Sequence, residues 1–483
     1  MSNGNEVEFA KRYDLWTDQQ YVDKAKSLAL MIEKGIEVVR VSFVDQHGVL
    51  RGKTIVVDAL KSAFESGIAM TSTMLLKDTS HNTVFPVWES DAGFGEGTMT
   101  GASDVLMLPD PSTLKILPWA PHSAWVLADL YYSNGNSLEF STRSVLQKAQ
   151  RKLNDTGLEF IAGLEVEFHV FKKIETPVQP NAMGMPQHLP EIEQISTGYQ
   201  YLTEDCYDQM EHVFDLIRRN AQGLGLPIRT LEVEFGPSQV EVTFDPRPAL
   251  EQADNMILFR SMVKQVCRRN GLHATFMCRP RFKESIASGW HLHQSVVDIE
   301  TGENVFIPKE GEAISPIGKN WIAGVLEHAE ESCIFSTPTI NGYKRYRPLT
   351  LAPDRIQWGR DNRGAMIRCL AKPGDKASRI ENRVGEPAAN PYLYIASQIL
   401  SGMDGVERNL SAPEPVSNLL NSEAKRLPTC LQEALTAFTS GSFYSDQISP
   451  SFVRYYATIK QAEWDRYLTT VSEWEEREYL NLF

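Results

Sequence analysis

Arg379-Ile380-Glu381-Asn382-Arg383-Val384-Gly385-Glu386 is the stretch from which the fold is read. As a strand, its side chains alternate, so Arg379, Glu381 and Arg383 share one face while Ile380, Asn382 and Val384 take the other. Two arginines flanking a carboxylate at this spacing are costly unless an anion or a metal stands in front of them. Pro387 and Pro391 end the strand, and a helical run starts near Tyr392. The expectation is a polar funnel built around this face.

Further stretches supply matching faces. Leu164-Glu165-Val166-Glu167-Phe168-His169-Val170 alternates strictly, with Glu165, Glu167 and His169 together on one side. Taken alone it also reads as a half-exposed antiparallel strand. Glu232 to Glu241 repeats the pattern, with Glu234 and Glu241 on either side of a Gly236-Pro237 turn; an exposed hairpin is the plainer reading. Gly289-Trp290-His291-Leu292-His293-Gln294-Ser295 places both histidines on one face, suited to one metal ligand and one phosphate contact. Asn341 to Pro348 and Trp358 to Arg368 are dense in arginine among Tyr, Trp, Gly and Pro, which is not a solvent-face composition. Arginine rather than lysine favours bidentate holding of carboxylate or phosphate. Strand-borne carboxylates with one or two imidazoles suit Mg²⁺ or Mn²⁺ rather than a thiolate metal. Metals together with arginines point to phosphoryl transfer from a nucleotide, although the chain has neither a P-loop nor a kinase motif set.

These motifs, in this order, resemble the glutamine synthetase family over essentially the whole chain. The resemblance rests on Glu165 to Phe168, Glu234 to Glu241 (with Ser238 where the family has a second glycine), and Gly289 to Ser295. It extends through Asn341 to Arg345, Trp358 to Arg363, and Arg379 to Arg383 followed by Pro387 to Leu393. It implies that Glu167, Glu234 and Glu241 hold one metal and that Glu165, His291 and Glu381 hold a second. His293, Ser295, Arg363, Arg368 and Arg379 would meet the nucleotide. Gly289, Arg345 and Arg383 would grip glutamate, with Arg345, Arg363 and Arg383 as catalytic groups. The implied chemistry is phosphorylation of the γ-carboxylate of L-glutamate by ATP, with Mg²⁺ or Mn²⁺, two or three per site, followed by displacement of phosphate by an amine.

Two departures qualify that reading. Ammonium-using members carry Glu-Ala-Pro after Tyr-Lys-Arg, but here the run is Leu351-Ala352-Pro353. They also carry Phe-Asp-Gly-Ser-Ser, where this chain reads Ala69-Met70-Thr71-Ser72-Thr73-Met74, without an aspartate until Asp78. Leucine removes the attraction for a small cation and offers an apolar wall. A glutamate–amine ligase is therefore expected, with Met70 and Leu351 at the amine site and Met74 and Trp290 as possible neighbours. An alkyl- or arylamine is favoured over a polyamine, for which Asp78, Glu89 and Asp91 would have to serve. The alternatives are an ammonium-using synthetase and a non-catalytic homologue. The adenylylation tyrosine of bacterial members has no counterpart near Ala424 to Pro428, so no control by adenylylation is expected.

The resemblance implies an α+β fold. A small β-grasp-like domain over residues 1–135 would close the neighbouring subunit's site, and residues 136–483 would form a catalytic domain with an antiparallel-strand funnel flanked by helices. It also implies a homo-oligomer, a dodecamer of two stacked hexamers. A net charge of −14 argues against nucleic acid or an anionic membrane as partner. No apolar run is long enough to span a bilayer. Six scattered cysteines without a Cys-x-x-Cys pair fit reduced thiols in a cytoplasmic protein. Elsewhere the patterns predict strands at Ile36–Phe43, Leu50–Val57, Val105–Leu108, Trp125–Ala128 and Ala274–Cys278. Helices are predicted from about Thr142 to Asn154 and over Tyr207–Ala221, Leu250–Arg269, Trp321–Cys333, Tyr392–Leu410, Leu431–Thr439 and Phe452–Tyr479. The first residues read as a short helix or an arm, and Gly67 to Gly101 and Pro177 to Pro190 as loops.

Overall fold

The computed structural model describes residues 7–89, 99–174, 188–282, 284–346, 351–419 and 422–483. Asp91, Arg347, Pro348 and most of the Pro177–Pro190 stretch lie outside the described residues.

Two sheets organise the chain. In the first, the strand order is Leu50–Val56, Val38–Val44, Ser123–Tyr131, Asp104–Pro109, Ile68–Thr71, with Lys115–Ile116 also paired to Ser123–Tyr131. Val38–Val44 and Ser123–Tyr131 run parallel; the other pairs are antiparallel. Asp45-Gln46-His47-Gly48 makes the hairpin turn because the Asp45 carboxylate accepts from the amides of His47 and Val49, each at 2.9 Å. Gly48 has a φ of +75°, and a Cβ there would lie 2.9 Å from Arg260 Nη2 and 3.1 Å from Asn390 Cα, so turn geometry and close approach both require glycine.

The second sheet runs Trp358–Arg360, Ile367–Leu370, Arg379–Asn382, Trp290–Asp298, Leu158–Lys173, Gln239–Phe244, Ile228–Val233. Its axis is the 16-residue strand Leu158–Lys173, which carries Glu165 and Glu167. Among the described residues its pairings are antiparallel, as expected of the funnel, apart from Trp358–Arg360 with Ile367–Leu370 at the sheet's end, which is parallel. The helices Ala249–Arg269, Thr142–Asn154 and Pro391–Glu407 pack behind it, burying most of their length. Gly157 and Gly271, at φ of +82° and +70°, turn the chain after the Thr142–Asn154 and Ala249–Arg269 helices. The α+β class, with a small mixed sheet preceding a larger helix-flanked one, is as expected.

Several elements differ from the sequence reading, each for a local reason. Ile68–Thr71 is a strand inside the expected loop, too short for its alternation to register. Asp18–Glu33 is a full helix started by a Thr17–Gln20 capping box. The Ala274–Cys278 strand ends at Thr275. Trp321–Cys333 is two helices broken at His328, which hydrogen-bonds Asp404 at 2.7 Å and stacks on Phe443. Phe452–Tyr479 is also two helices, because Ser472 caps a new one with Glu475.

The sheets are tied through one guanidinium. Arg143, on the Thr142–Asn154 helix, donates to Asp110 Oδ2 at 3.1 Å, Asp129 Oδ1 at 2.9 Å and Asp254 Oδ2 at 2.8 Å. Tyr392 donates at 2.6 Å to Asp254 Oδ1, which also accepts from Arg143 Nε at 3.1 Å. Three carboxylates converge on one buried cation, so removing it strands their charge. Arg143→Met should destabilise the protein by about 3–5 kcal/mol, read by denaturant unfolding. A loss below about 1 kcal/mol would mean the carboxylates are otherwise neutralised.

Candidate active site

Strand register brings the predicted polar residues into one band. Arg368 lies opposite Glu381, Glu381 opposite His293, His291 opposite Glu165, and Glu167 opposite Glu241. Glu234 follows directly on the Ile228–Val233 strand. One ligand atom from each of Glu167, Glu234 and Glu241 lies within 4.8 Å of the others. The same holds for Glu165, Glu241 and His291, and for Glu165, His293 and Glu381. The expected Glu167, Glu234 and Glu241 fall in one group, whereas Glu381 groups with Glu165 through His293 and His291 groups with Glu165 and Glu241, so that Glu165 and Glu241 each belong to two groups. His291 Nδ1 is 2.7 Å from Glu165 and 3.7 Å from Glu381, while His293 Nε2 is 3.1 Å from Glu165.

The histidine partners fix their tautomers. Arg345 Nη2 donates to His291 Nε2 at 3.2 Å, so His291 donates from Nδ1 to Glu165. Arg379 Nε donates to His293 Nδ1 at 3.1 Å, so His293 donates from Nε2 to the other Glu165 oxygen. Burial raises the Glu165 carboxyl, but its interactions with His291 and then His293 outweigh it, holding the group well below the usual carboxylate range. Glu381 is likewise pushed up by burial and pulled below its ordinary value by His291, His293 and Arg383.

The other end of the band is different. Burial, then Glu167, pushes the Glu234 carboxyl up to about 8. Burial, then Glu165, Glu167 and Glu234, pushes Glu241 up to about 11. Among the described residues these carboxyls are crowded together with no cation among the main influences on them, and an oxygen-rich donor set of this kind fits a hard divalent cation. Gln239 Nε2 and the Gly289 amide orient Glu167 Oε2, at 3.3 and 2.9 Å, and Gln239 is itself held by Ser288 Oγ at 2.9 Å.

The arginines are also placed. Arg345 is buried and donates to the carbonyls of Arg383 and Val384 at 2.8 and 3.3 Å. Gly289 faces it: a Cβ there would sit 2.5 Å from Arg345 Nη2 and 3.0 Å from His291 Nε2, so only glycine leaves room. Arg383 pairs with Glu381 and donates to the Leu351 carbonyl at 3.4 Å. Arg368 bridges Glu381 and Asp361, at 3.0 and 2.6 Å. Arg363 is exposed, with its carbonyl accepting from Arg383 at 3.0 Å. Ser295 is half-buried and follows His291 and His293 on the alternation of its strand.

Some expected neighbours stand elsewhere. Met70 is packed in the first sheet at 6% exposure, opposite Val105. Trp290 is fully buried against Tyr394, because its register turns it to the core while His291 turns to the band. Asp78 is buried and occupied by the amides of Ser80 and Asn82 and by Arg466, which leaves it unsuited to meet a polycation. Asp45 is committed to its turn and to Arg51. Glu89 is exposed.

Sequence reasoning missed the segment that walls the acidic end. Tyr201 stacks on Phe235 with ring centroids 4.4 Å apart, beside Glu234. Burial, then Glu234 and Glu241, pushes its hydroxyl up to about 12. The segment is pinned by Ser238, whose Oγ accepts from the amide of Ile195 at 2.7 Å and whose own φ is +56°. The unusual serine in the Gly-Pro-Ser-Gln turn was the available signal.

Comparison with known proteins agrees with this geometry. The family model described as glutamine synthetase, catalytic domain, matches residues 139–479. The chain is 40% identical to a gamma-glutamylanilide synthase of an Acinetobacter species, over 99% of each chain. It is 30% identical to a glutamate–isopropylamine ligase of a Pseudomonas species, over 93% of this chain and 96% of that one. A solved GmaS/ADP complex superposes with a TM-score of 0.78 at 27% identity, covering 94% of this chain and 99% of that one. A carboxylate–histidine–arginine band in this register, on a chain matched along its length, places the protein in the glutamine synthetase family.

Proposed function

We propose that the chain is an ATP-dependent glutamate–amine ligase. It joins the γ-carboxylate of L-glutamate to a substituted amine through γ-glutamyl phosphate, giving a γ-glutamylamide, ADP and phosphate. The observation that carries this reading is the position of Leu351. Its carbonyl touches Arg383, beside the phosphoryl-transfer groups, and its side chain is 54% exposed. An apolar side chain stands where the ammonium-using pattern has a carboxylate. That favours an alkyl- or arylamine over ammonium or a polyamine. The names of the anilide- and isopropylamide-forming relatives support the same choice.

Glu167, Glu234 and Glu241 would hold one Mg²⁺ or Mn²⁺, and Glu165, His291 and Glu381 a second, within a total of two or three ions per site. When bound, such ions neutralise charge on the transferring phosphoryl group. The chain's own groups do the positioning. Arg345, locked by carbonyls and facing Gly289, is rigid enough to orient the glutamate. His293, Ser295, Arg363, Arg368 and Arg379 line the end of the band suited to the ATP phosphates. Arg383 offsets charge as the γ-carboxylate attacks phosphorus and again as phosphate leaves. Leu351 shields the amine's organic part from water.

Residues 1–135 and 136–483 are read as two domains of a cytoplasmic homo-oligomer, a dodecamer of two stacked hexamers. The Met70 region would then close the neighbour's site through its exposed residues rather than through Met70 itself. Trp88, 82% exposed, and the apolar chain end at Leu480, Leu482 and Phe483 support burial between subunits. Among the described residues no helix is long and apolar enough to cross a membrane.

Two outcomes follow. In a phosphate-release assay with ATP, glutamate and Mg²⁺, aniline or isopropylamine should support turnover at least about tenfold above ammonium. Efficient turnover with ammonium alone would contradict the amine-ligase reading. The raised carboxyls give a pH test. Glu234 and Glu241 stay protonated in the metal-free fold at neutral pH, whereas unfolded carboxyls ionise near about 4.3. A carboxyl raised on folding favours the fold only while it is protonated. The metal-free protein should therefore lose stability as pH rises from about 5 through about 8, and excess Mn²⁺ should remove that slope while releasing protons. Calorimetric unfolding across this window checks the sign; metal-free stability that rises with pH would refute it.

A further inference from the structure

A second cavity lies at the junction of the two sheets and shares no lining residue with the carboxylate band. It has a volume of about 450 Å³ and sits between the Asp45–Gly48 turn, the Ala249–Arg269 helix and the Pro450–Leu468 helix. Its walls include Arg260, Lys264 and Lys460, and none of its lining residues is a carboxylate. In a protein with a net charge of −14, three cations around a space without acids is a selective arrangement.

The cations are held differently. Arg260 is buried and fixed by neutral carbonyls only, donating to Gly48 at 3.0 Å and to Pro387 and Ala389 at 3.1 and 2.8 Å. Among the described residues no carboxylate comes within ion-pair distance of it, and Asp45 acts on it only from further off. Lys460 is paired with Glu463 at 3.1 Å. Lys264 has no ion-pair partner among the described residues, and burial, then Arg260 and Arg268, lowers its ammonium below the ordinary value. Two lining side chains also leave polar atoms unmatched: His47 Nδ1 and Gln46 Oε1 are buried without hydrogen-bond partners. His47 already uses Nε2 on the Lys77 carbonyl at 3.0 Å, so its free nitrogen is available to a ligand's acidic or hydroxyl group. Phe276 and Met277 supply an apolar wall.

We infer that this cavity is a binding site for a small organic anion, a carboxylate or phosphate bearing a hydroxyl or amino group, separate from the catalytic substrates. Arg260 and Lys264 would meet the anion, and Gln46 and His47 the polar substituent. The site touches the first-sheet turn on one side and, through Arg260, the Pro387–Ala389 segment that continues from Arg383 on the other. Occupancy would stiffen the connection between the two sheets.

Lys264 gives a clean test because it lies on a helix surface and takes no part in the catalytic band. Isothermal titration of the metal-free, full-length protein with malate and, separately, with glycerol 3-phosphate, a hydroxylated carboxylate and a hydroxylated phosphate, distinguishes the two anion chemistries. Saturable binding of at least one probe is expected, accompanied by a rise in unfolding temperature and weakened about tenfold or more in Lys264→Glu. Basal turnover without the probe should be unchanged in that variant. Binding of neither probe, or binding insensitive to Lys264→Glu (an anion lodged among the catalytic arginines), would overturn the inference. A thermal transition of unliganded Lys264→Glu matching wild type confirms that the comparison is between folded proteins.

Discussion

Repulsion among buried carboxylates is the constraint around which the second sheet is arranged. Two unit charges about 4 Å apart cost roughly 4 kcal/mol in a protein-like dielectric, and Glu167, Glu234 and Glu241 bring three such groups into mutual reach. The arginines do not resolve this. Arg368 and Arg383 are committed to Glu381, and Arg345 is fixed by backbone carbonyls and His291. Left to itself the acidic end responds by holding protons, which is what the raised Glu234 and Glu241 values express. A fold that keeps such a cluster away from its own cations is built to receive external ones.

The asymmetry of the band gives it direction. Glu165 and Glu381, flanked by histidines and arginines, stay ionised, while the Glu234–Glu241 end does not. A polyanionic nucleotide fits the arginine end. The opposite end is walled by the Tyr201–Phe235 stack. Leu351, hung on Arg383 through its backbone, adds an apolar surface without a competing carboxylate.

What was legible in the sequence followed from the two-residue period of strands. Glu165 and Glu167, His291 and His293, and Glu381 and Arg383 announce shared faces by spacing alone. Register then decided which of these faces met, and the family pattern encoded it indirectly. Where the sequence was opaque, the deciding fact was tertiary. Met70 and Trp290 look alike as apolar candidates for an amine site, yet both turn to cores. The short Ile68–Thr71 strand carries too few residues to show its period. Asp78 looked available as an acid, but the turn it closes and the distant Arg466 occupy it. The Ser238 turn, whose left-handed backbone favours glycine, concealed an anchor for the aromatic wall.

The central claim is that this band activates the γ-carboxylate of glutamate as an acyl phosphate, from which an amine then displaces phosphate. The most direct measurement is the fate of heavy oxygen placed in that carboxylate. With ATP, a divalent metal and an accepted amine, each amide formed should carry one labelled oxygen from glutamate into the released phosphate. Amide formed while the phosphate stays unlabelled would contradict the account, because the acyl oxygen would then not have been transferred through a phosphorylated intermediate.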